Sequence, residues 1–171
     1  MVRFGVQPIF HRDLTTNPAW IKPFVKMIED AGADSIWAVE HPVIAENYEP
    51  LYSYSADGKA PFFPEVMMPD PLEWLSFVAA CTDKIKLATG ILILPLHSPI
   101  IIAKRVATLD AMSGGRLELG VGLGWQKEEF AAVNVPYNER AARTDETIVA
   151  MRKLWTGEAV SFQGKHFQFT D

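Results

Sequence analysis

The sequence contains little cysteine, little excess basic charge and no long apolar run. These three features would point to a disulfide-bonded, a nucleic-acid-binding or a membrane protein. Its 171 residues include one cysteine, so no internal disulfide can form, which is typical of a reducing compartment. The formal net charge is −5, which argues against a nucleic-acid partner, because proteins of that kind concentrate Lys and Arg. The apolar stretches are far shorter than the ~20 residues that span a bilayer, and a signal peptide's apolar stretch is missing near residue 1. We therefore expect a soluble, cytoplasmic protein with neither a membrane nor a nucleic acid as partner.

The sequence also lacks the motifs of metal sites and of catalytic nucleophiles. No Cys, His and carboxylate group has the spacing of a metal site, and no Gly-x-Ser-x-Gly motif occurs, so we expect no metal. The lone Cys81 lies in an apolar stretch without a neighbouring base, which favours a small core residue over a nucleophile.

Apolar strands alternate with amphipathic helices along the chain. Two helix starts carry a capping residue followed by proline, at Asn17-Pro18 and Asp70-Pro71. The strand segments are apolar without alternation, which favours a parallel sheet covered by helices, in either an open doubly wound sheet or a (β/α)8 barrel. The predicted strands are 3–7, 35–40, 84–94 and 117–122, and the predicted helices are about 18–31, 70–82, 98–113 and 139–155, the last burying Ile148, Met151 and Trp155.

Two segments depart from this alternation. Residues 160–169 alternate apolar and polar around Gln163-Gly164, which predicts a small antiparallel hairpin. Residues 41–69 form a long insertion rich in aromatic residues and proline. Long loops of this kind are often functional, so we expect an ordered lid over a substrate pocket, with a solvated surface loop as the alternative.

Several segments, in this order, resemble the luciferase-like monooxygenase superfamily. They are Asp34-Ser-Ile-Trp-Ala-Val-Glu-His41, Thr89-Gly-Ile-Leu-Ile-Leu-Pro95, Ser98-Pro-Ile-Ile-Ile-Ala-Lys-Arg105 and the most specific one, Thr108-Leu-Asp-Ala-Met-Ser-Gly-Gly-Arg-Leu-Glu-Leu-Gly-Val-Gly-Leu-Gly-Trp125. The segment 52–62 resembles a narrower branch that depends on coenzyme F420, a deazaflavin. The resemblance covers essentially the whole chain.

The resemblance implies an α/β fold, a TIM-type (β/α)8 barrel. The chain supplies only the first four β/α units plus a β-hairpin, so residues 1–171 are interpreted as a single domain, the N-terminal half of such a barrel. A half barrel leaves sheet edges open. We therefore expect either a missing C-terminal half or a homodimer that completes the barrel.

The resemblance also selects site residues, because reactive groups of such barrels lie at the carboxyl ends of the strands. Glu40 and His41 resemble an acid–histidine pair and are the catalytic candidates, although His41 could simply cap the strand. Gly90 and Ile91 resemble a bulge with a non-prolyl cis peptide against the flavin ring; a plain strand glycine is the alternative. The remaining cofactor-binding candidates are Pro8, Gly122, Gly124 and Trp125.

Trp125 stands where sugar-phosphate dehydrogenases of the deazaflavin group carry an acid, which argues against the same substrate. It is interpreted as a pocket wall or as an ordinary core residue. The glycines at 120–124 lack the G-x-G-x-x-G form, which disfavours an independent dinucleotide-binding domain.

The implied function is hydride transfer between coenzyme F420 and a small organic substrate. The nearest alternative uses FMN and oxygen as a monooxygenase. An alternative of another class is a non-catalytic half barrel that persists as a dimerising remnant.

Overall fold

The computed structural model describes residues 2–9, 11–61 and 66–170, and Phe62 of the F420-like segment lies outside them. Its strands are β1 (Gly5–Val6), β2 (Ser35–Ala38), β3 (Lys86–Thr89), β4 (Leu92–Ile93), β5 (Leu117–Glu118), β6 (Val121–Gly122), β7 (Phe162–Gln163) and β8 (Gln168–Phe169). Its helices are α1 (Pro18–Asp30), α2 (Pro71–Cys81), α3 (Pro99–Met112), α4 (Lys127–Ala132) and α5 (Arg140–Leu154). Among the described residues, no helix is both long and apolar enough to cross a membrane.

The chain divides into two compact units. The first contains residues 1–42, 61–92 and 108–121, and the second contains 43–60, 93–107 and 122–171.

The first unit is built on a parallel sheet with the strand order β1-β2-β3-β5. Ser35 pairs with Lys86 and Ile36 with Leu87, and Leu87 in turn pairs with Leu117. The predicted parallel α/β arrangement is confirmed. Elsewhere β4 pairs with β6, and β7 pairs with β8 in the predicted antiparallel hairpin, whose turn occupies residues 164–167.

Both predicted proline-marked helix starts are confirmed. The side chain of Asn17 accepts a hydrogen bond from the N–H of Ala19 at 3.0 Å, at the start of α1. The side chain of Asp70 accepts from the N–H groups of Leu72 and Glu73 at 2.9 and 3.2 Å, at the start of α2. These caps satisfy donors that a helix start leaves without partners, so helix position is encoded locally here.

One face of the parallel sheet is buried under helices. Ile36 and Leu87 on this face have no exposed surface, and α2 packs against both β2 and β3. The helices contribute Val25 from α1 and Leu75 from α2, which are also fully buried. This is the core of the first unit.

Five local features differ from what periodicity and composition predicted. The strand predicted at 84–94 is broken at Gly90-Ile91, and the strand predicted at 117–122 is broken between β5 and β6. The short α4 was not predicted, because its six residues are too few to show a period. Trp155, predicted to be buried, is 44% exposed, and its indole N–H donates to the carbonyl oxygen of Ala103 at 3.0 Å. Cys81, expected in the core, is half-buried.

Candidate active site

The carboxyl ends of β2 and β3 are joined by backbone hydrogen bonds just beyond the sheet. The N–H of Gly90 donates to the carbonyl oxygen of Ala38 at 2.7 Å, and the N–H of Glu40 donates to the carbonyl oxygen of Ile91 at 3.2 Å. The structure therefore brings the predicted residues Glu40, Gly90 and Ile91 together. Carboxyl ends of parallel strands are where α/β barrels place their reactive groups.

The bulge between β3 and β4 has the backbone that the resemblance predicts, since the peptide bond between Gly90 and Ile91 is cis. A side chain at Gly90 is excluded, because a Cβ there would overlap the indole ring of Trp37. Ile91 is 37% exposed. The bulge thus presents an aliphatic side chain to solvent and is backed by an indole ring.

Trp37 is a site residue that the sequence analysis missed. It lies on the sheet face opposite the buried Ile36 and is 38% exposed. Its indole N–H donates to the hydroxyl of Ser35 at 2.7 Å, and a Cβ on Gly5 would overlap the same ring. Gly5 in β1 and Gly90 just beyond β3 leave room for the indole, but this arrangement becomes visible only once the strand pairing is known.

Glu40 and His41 follow β2 directly. Glu40 is buried, with 4% of its surface exposed, and His41 is half-buried. Pro8, two residues beyond β1, is buried as well. An acid and an imidazole at one strand end can together hold or move a proton. Their predicted catalytic roles stay predictions.

Thr89, the last residue of β3, connects this strand end to the segment that follows β5. Its hydroxyl donates to the carbonyl oxygen of Gly120 at 2.7 Å and accepts from the N–H of Gly120 at 2.9 Å. A Cβ on Gly120 would overlap the carbonyl oxygen of Thr89. The glycine is therefore required for the close approach of two backbones.

The other three predicted site residues, Gly122, Gly124 and Trp125, belong to the second unit. Gly122 ends β6 and is half-buried. Gly124 has a φ of +75°, and a Cβ there would lie 2.7 Å from Ile93 and 2.8 Å from Phe130. Gly124 thus has a conformational and a packing requirement, while its predicted contact with cofactor stays a prediction.

Trp125 is half-buried in a group of aromatic rings. The rings of Tyr48 and Tyr52 meet it edge to face, with centroids 5.4 and 5.3 Å away. The hydroxyl of Tyr137 donates to its carbonyl oxygen at 3.1 Å. Both tyrosines that touch its ring come from the predicted insertion.

The part of the insertion in the second unit is held to the start of α4 by charge as well. The carboxylate of Glu49 forms an ion pair with the ammonium of Lys127 at 2.6 Å. The backbone N–H of Glu49 donates to the carboxylate of Glu128 at 3.0 Å. Hydrogen bonding to Glu49 raises the pKa of Lys127. The stretch around Tyr48, Glu49 and Tyr52 is therefore held by specific contacts, while the predicted lid role of the insertion stays a prediction.

The most specific sequence block begins with a structural motif. The guanidinium of Arg116 donates to the carbonyl oxygens of Ser113, Ile85 and Ala79 and to the hydroxyl of Thr82, at 2.7 to 3.2 Å. These acceptors lie near the amino end of β3, away from the strand ends that carry the predicted site. The Ser-Gly-Gly-Arg part of the block therefore organises the first unit.

The first unit's strand ends fit a flat, largely apolar cofactor. The open side chain of Ile91 offers an apolar contact for one ring face, and Gly90 carries no side chain that could obstruct it. Buried Glu40 and half-buried His41 provide polar groups nearby in the chain. Among the described residues, no group of three or more His, Cys, Asp or Glu side chains could hold a metal ion.

A parallel sheet with helices on one face and candidate groups at its carboxyl edge defines an α/β protein. The chain belongs to the luciferase-like monooxygenase family, whose model matches residues 4–171. F420-dependent members of this family are among its relatives.

Individual relatives show the range of the family. An F420-dependent glucose-6-phosphate dehydrogenase of Kineococcus radiotolerans is 33% identical over 158 residues, which are 90% of this chain and 42% of the relative. An FMNH2-dependent dimethylsulfone monooxygenase of Pseudomonas putida is 40% identical over 95 residues, which are 54% of this chain and 26% of the relative.

The fold is also similar to that of a solved structure. A monooxygenase from Streptomyces bottropensis, RslO1, superposes with a TM-score of 0.74 at 26% identity, over 99% of this chain and 47% of that structure. The chain spans about half the length of the relatives it matches. Relatives named for coenzyme F420 and for FMNH2 both match the chain.

Proposed function

We propose that the chain is the first half of a (β/α)8 barrel that transfers a hydride between coenzyme F420 and a small organic substrate. The observation that carries this proposal is the joining of Glu40 to the Gly90–Ile91 bulge, at the edge of the sheet where such barrels react. The similarity of segment 52–62 to the F420-dependent branch, with the Kineococcus relative, favours the deazaflavin.

In this proposal the residues at the ends of β2 and β3 have different roles. The exposed side chain of Ile91 supports one face of the cofactor ring, and Trp37 supports the bulge from behind. His41 holds or moves the proton that accompanies hydride transfer, and Glu40 orients it. When bound, the deazaflavin would donate or accept the hydride, while the protein supplies binding and orientation. The other half of the barrel comes from a second copy or from a longer chain.

An FMN-dependent monooxygenase is the second candidate, favoured by the Pseudomonas relative and by RslO1. The same apolar contact at Ile91 suits either ring. The two cofactors therefore have to be compared directly.

The test is an equilibrium titration of the 171-residue chain with oxidised coenzyme F420 and, in parallel, with FMN. We expect saturable, micromolar binding of F420 and weaker binding of FMN. Ile91→Asp should weaken F420 binding more than tenfold, because it places a charge against an apolar ring face. Ile101→Asp is the matched control, since Ile101 is 59% exposed on α3 and should leave binding unchanged.

Preferential binding of FMN would select the second candidate. Binding of neither cofactor, repeated with a chain extended to the length of the relatives, would refute both. If Ile91→Asp and Ile101→Asp bind equally well, the ring does not lie on the bulge.

A further inference from the structure

Four aromatic rings of the second unit form a continuous series. Tyr48 and Tyr52 both meet Trp125 edge to face, and the ring of Tyr54 meets Tyr52 with centroids 5.4 Å apart. Exposure increases along the series: Trp125 and Tyr52 are half-buried, while Tyr54 is 87% exposed. The series therefore connects a supported indole to a ring that is open to solvent.

The loop that carries these tyrosines supports their rings with its own hydrogen bonds. The N–H of Tyr52 donates to the carbonyl oxygen of Gly58 at 2.8 Å, and the N–H of Ala60 donates to the hydroxyl of Tyr48 at 3.0 Å. Gly58 has a φ of +70°, and a Cβ there would overlap the carbonyl oxygen of Pro50. Tyr48 and the backbone of Tyr52 are held in this way, so this part of the loop loses little conformational entropy when a ligand packs on it.

Charge in the same loop disfavours an anionic ligand. Residues 43–60 contain Glu46, Glu49 and Asp57 but one cation, Lys59. The N–H of Lys59 and the hydroxyl of Ser55 lower the pKa of Asp57, so this carboxylate is ionised at neutral pH. The nearest cation of α4, Lys127, is already paired with Glu49.

The same part of the chain also exposes apolar side chains. Val43, Ile44 and Leu51 of the loop, and Leu123 two residues before Trp125, are each more than one third exposed. Exposed apolar and aromatic side chains are suited to an apolar ligand rather than to a charged one.

We propose that Tyr52, Tyr54 and Trp125 bind the substrate and that this substrate is an uncharged aromatic or apolar molecule. The assignment rests on the proposed hydride-transfer function and names the substrate class for it. A sugar phosphate, the substrate class in the name of the Kineococcus relative, is disfavoured because acidic side chains outnumber cations in residues 43–60 and because Lys127 is already paired with Glu49.

The test uses two probes on the 171-residue chain: indole, an uncharged bicyclic aromatic, and glucose 6-phosphate. Binding is measured by saturation-transfer NMR and by titration. We expect indole to bind and glucose 6-phosphate not to bind. Tyr54→Ala should weaken indole binding about three- to tenfold, the contribution of one aromatic contact. Tyr54→Phe should bind indole as the parent chain does, because it keeps the ring.

Phe4→Ala is the matched control, since Phe4 is an exposed aromatic residue of the first unit. Tighter binding of glucose 6-phosphate than of indole would overturn the proposal, and so would equal indole affinity in the parent and Tyr54→Ala. Each variant is also titrated with oxidised coenzyme F420. Cofactor binding without a Tyr54 effect refutes the substrate site alone. A Tyr54 effect together with no binding of F420 or FMN, in this chain and in a chain extended to the length of the relatives, refutes the hydride-transfer function and leaves the aromatic site.

Discussion

The carboxylate of Glu29 makes the stability of the first unit dependent on pH. Its side chain is only 6% exposed and accepts hydrogen bonds from the N–H groups of Asp83, Lys84 and Ile85 at 2.7 to 3.0 Å. Lys26 donates to it at 3.2 Å. Burial alone would raise the pKa of Glu29, but these donors outweigh it and lower the pKa from 4.5 to about 2.

The size of the effect follows from this pKa. A tenfold change in proton affinity is worth about 1.4 kcal/mol, so lowering the pKa from 4.5 to about 2 stabilises the folded chain by about 3 kcal/mol. Because the folded pKa lies below the unfolded one, the stabilisation is complete above pH 4.5 and is lost as the pH falls toward 2. It should be less than half its full value by about pH 3.

Glu29→Gln tests this reasoning, since the variant keeps the shape of the side chain and removes its charge. We expect its free energy of unfolding in urea to be about 2 to 3 kcal/mol below that of the parent at pH 7, with the gap closing as the pH falls to about 3. Asp30→Asn is the control: Asp30 also pairs with Lys26, at 3.1 Å, but is 63% exposed, so we expect less than about 1 kcal/mol. A Glu29→Gln gap of equal size at pH 7 and pH 3 would refute the role assigned to the carboxylate charge.

Three further substitutions are tested by urea unfolding. Arg116→Lys should lower the free energy of unfolding by about 2 to 4 kcal/mol, because one ammonium cannot donate to all four acceptors of the guanidinium; a loss below about 1 kcal/mol would contradict this. Gln126→Leu should raise stability by about 1 to 2 kcal/mol, since neither amide atom of this buried side chain has a hydrogen-bond partner among the described residues, and a decrease would show that the amide is used. Gly90→Ala should cost about 1 to 3 kcal/mol through overlap with Trp37, and Trp37→Leu in the same chain should recover part of it if overlap is the cause.

Much of the helical structure could be predicted because its signals are local. Asn17 and Asp70 each cap a helix within three residues of themselves, so the sequence alone is sufficient to position α1 and α2. The continuously apolar strands predicted a parallel sheet covered by helices, whereas the choice of a barrel over an open sheet rested on the resemblance alone.

The breaks in the sheet could not be predicted from periodicity. The segment 84–94 is apolar on both sides of Gly90, so the pattern shows no interruption, and only the resemblance pointed to a bulge. The position of the break depends on Trp37, some fifty residues earlier in the chain, which occupies the space a side chain at 90 would need. Likewise α4 is supported by Glu49, far away in sequence.

The candidate site was predicted in part. The strand-end rule led to Glu40, Gly90 and Ile91, which the structure brings together. The rule did not lead to Trp37, because this residue lies within a strand and not at its end. It also did not lead to the aromatic rings around Trp125, because those contacts form between a loop and a helix start that are more than seventy residues apart.

A second glutamate, in the second unit, accepts hydrogen bonds in the same way as Glu29 but from residues that are closer in sequence. Glu146 also accepts from three consecutive N–H groups, those of Lys165, His166 and Phe167, but its partners lie 19 to 21 residues away, against 54 to 56 for Glu29. Closing the shorter loop costs less chain entropy. The hairpin can therefore dock on α5 while the chain is still largely open, whereas the contact of Glu29 has to wait until α2 is in place.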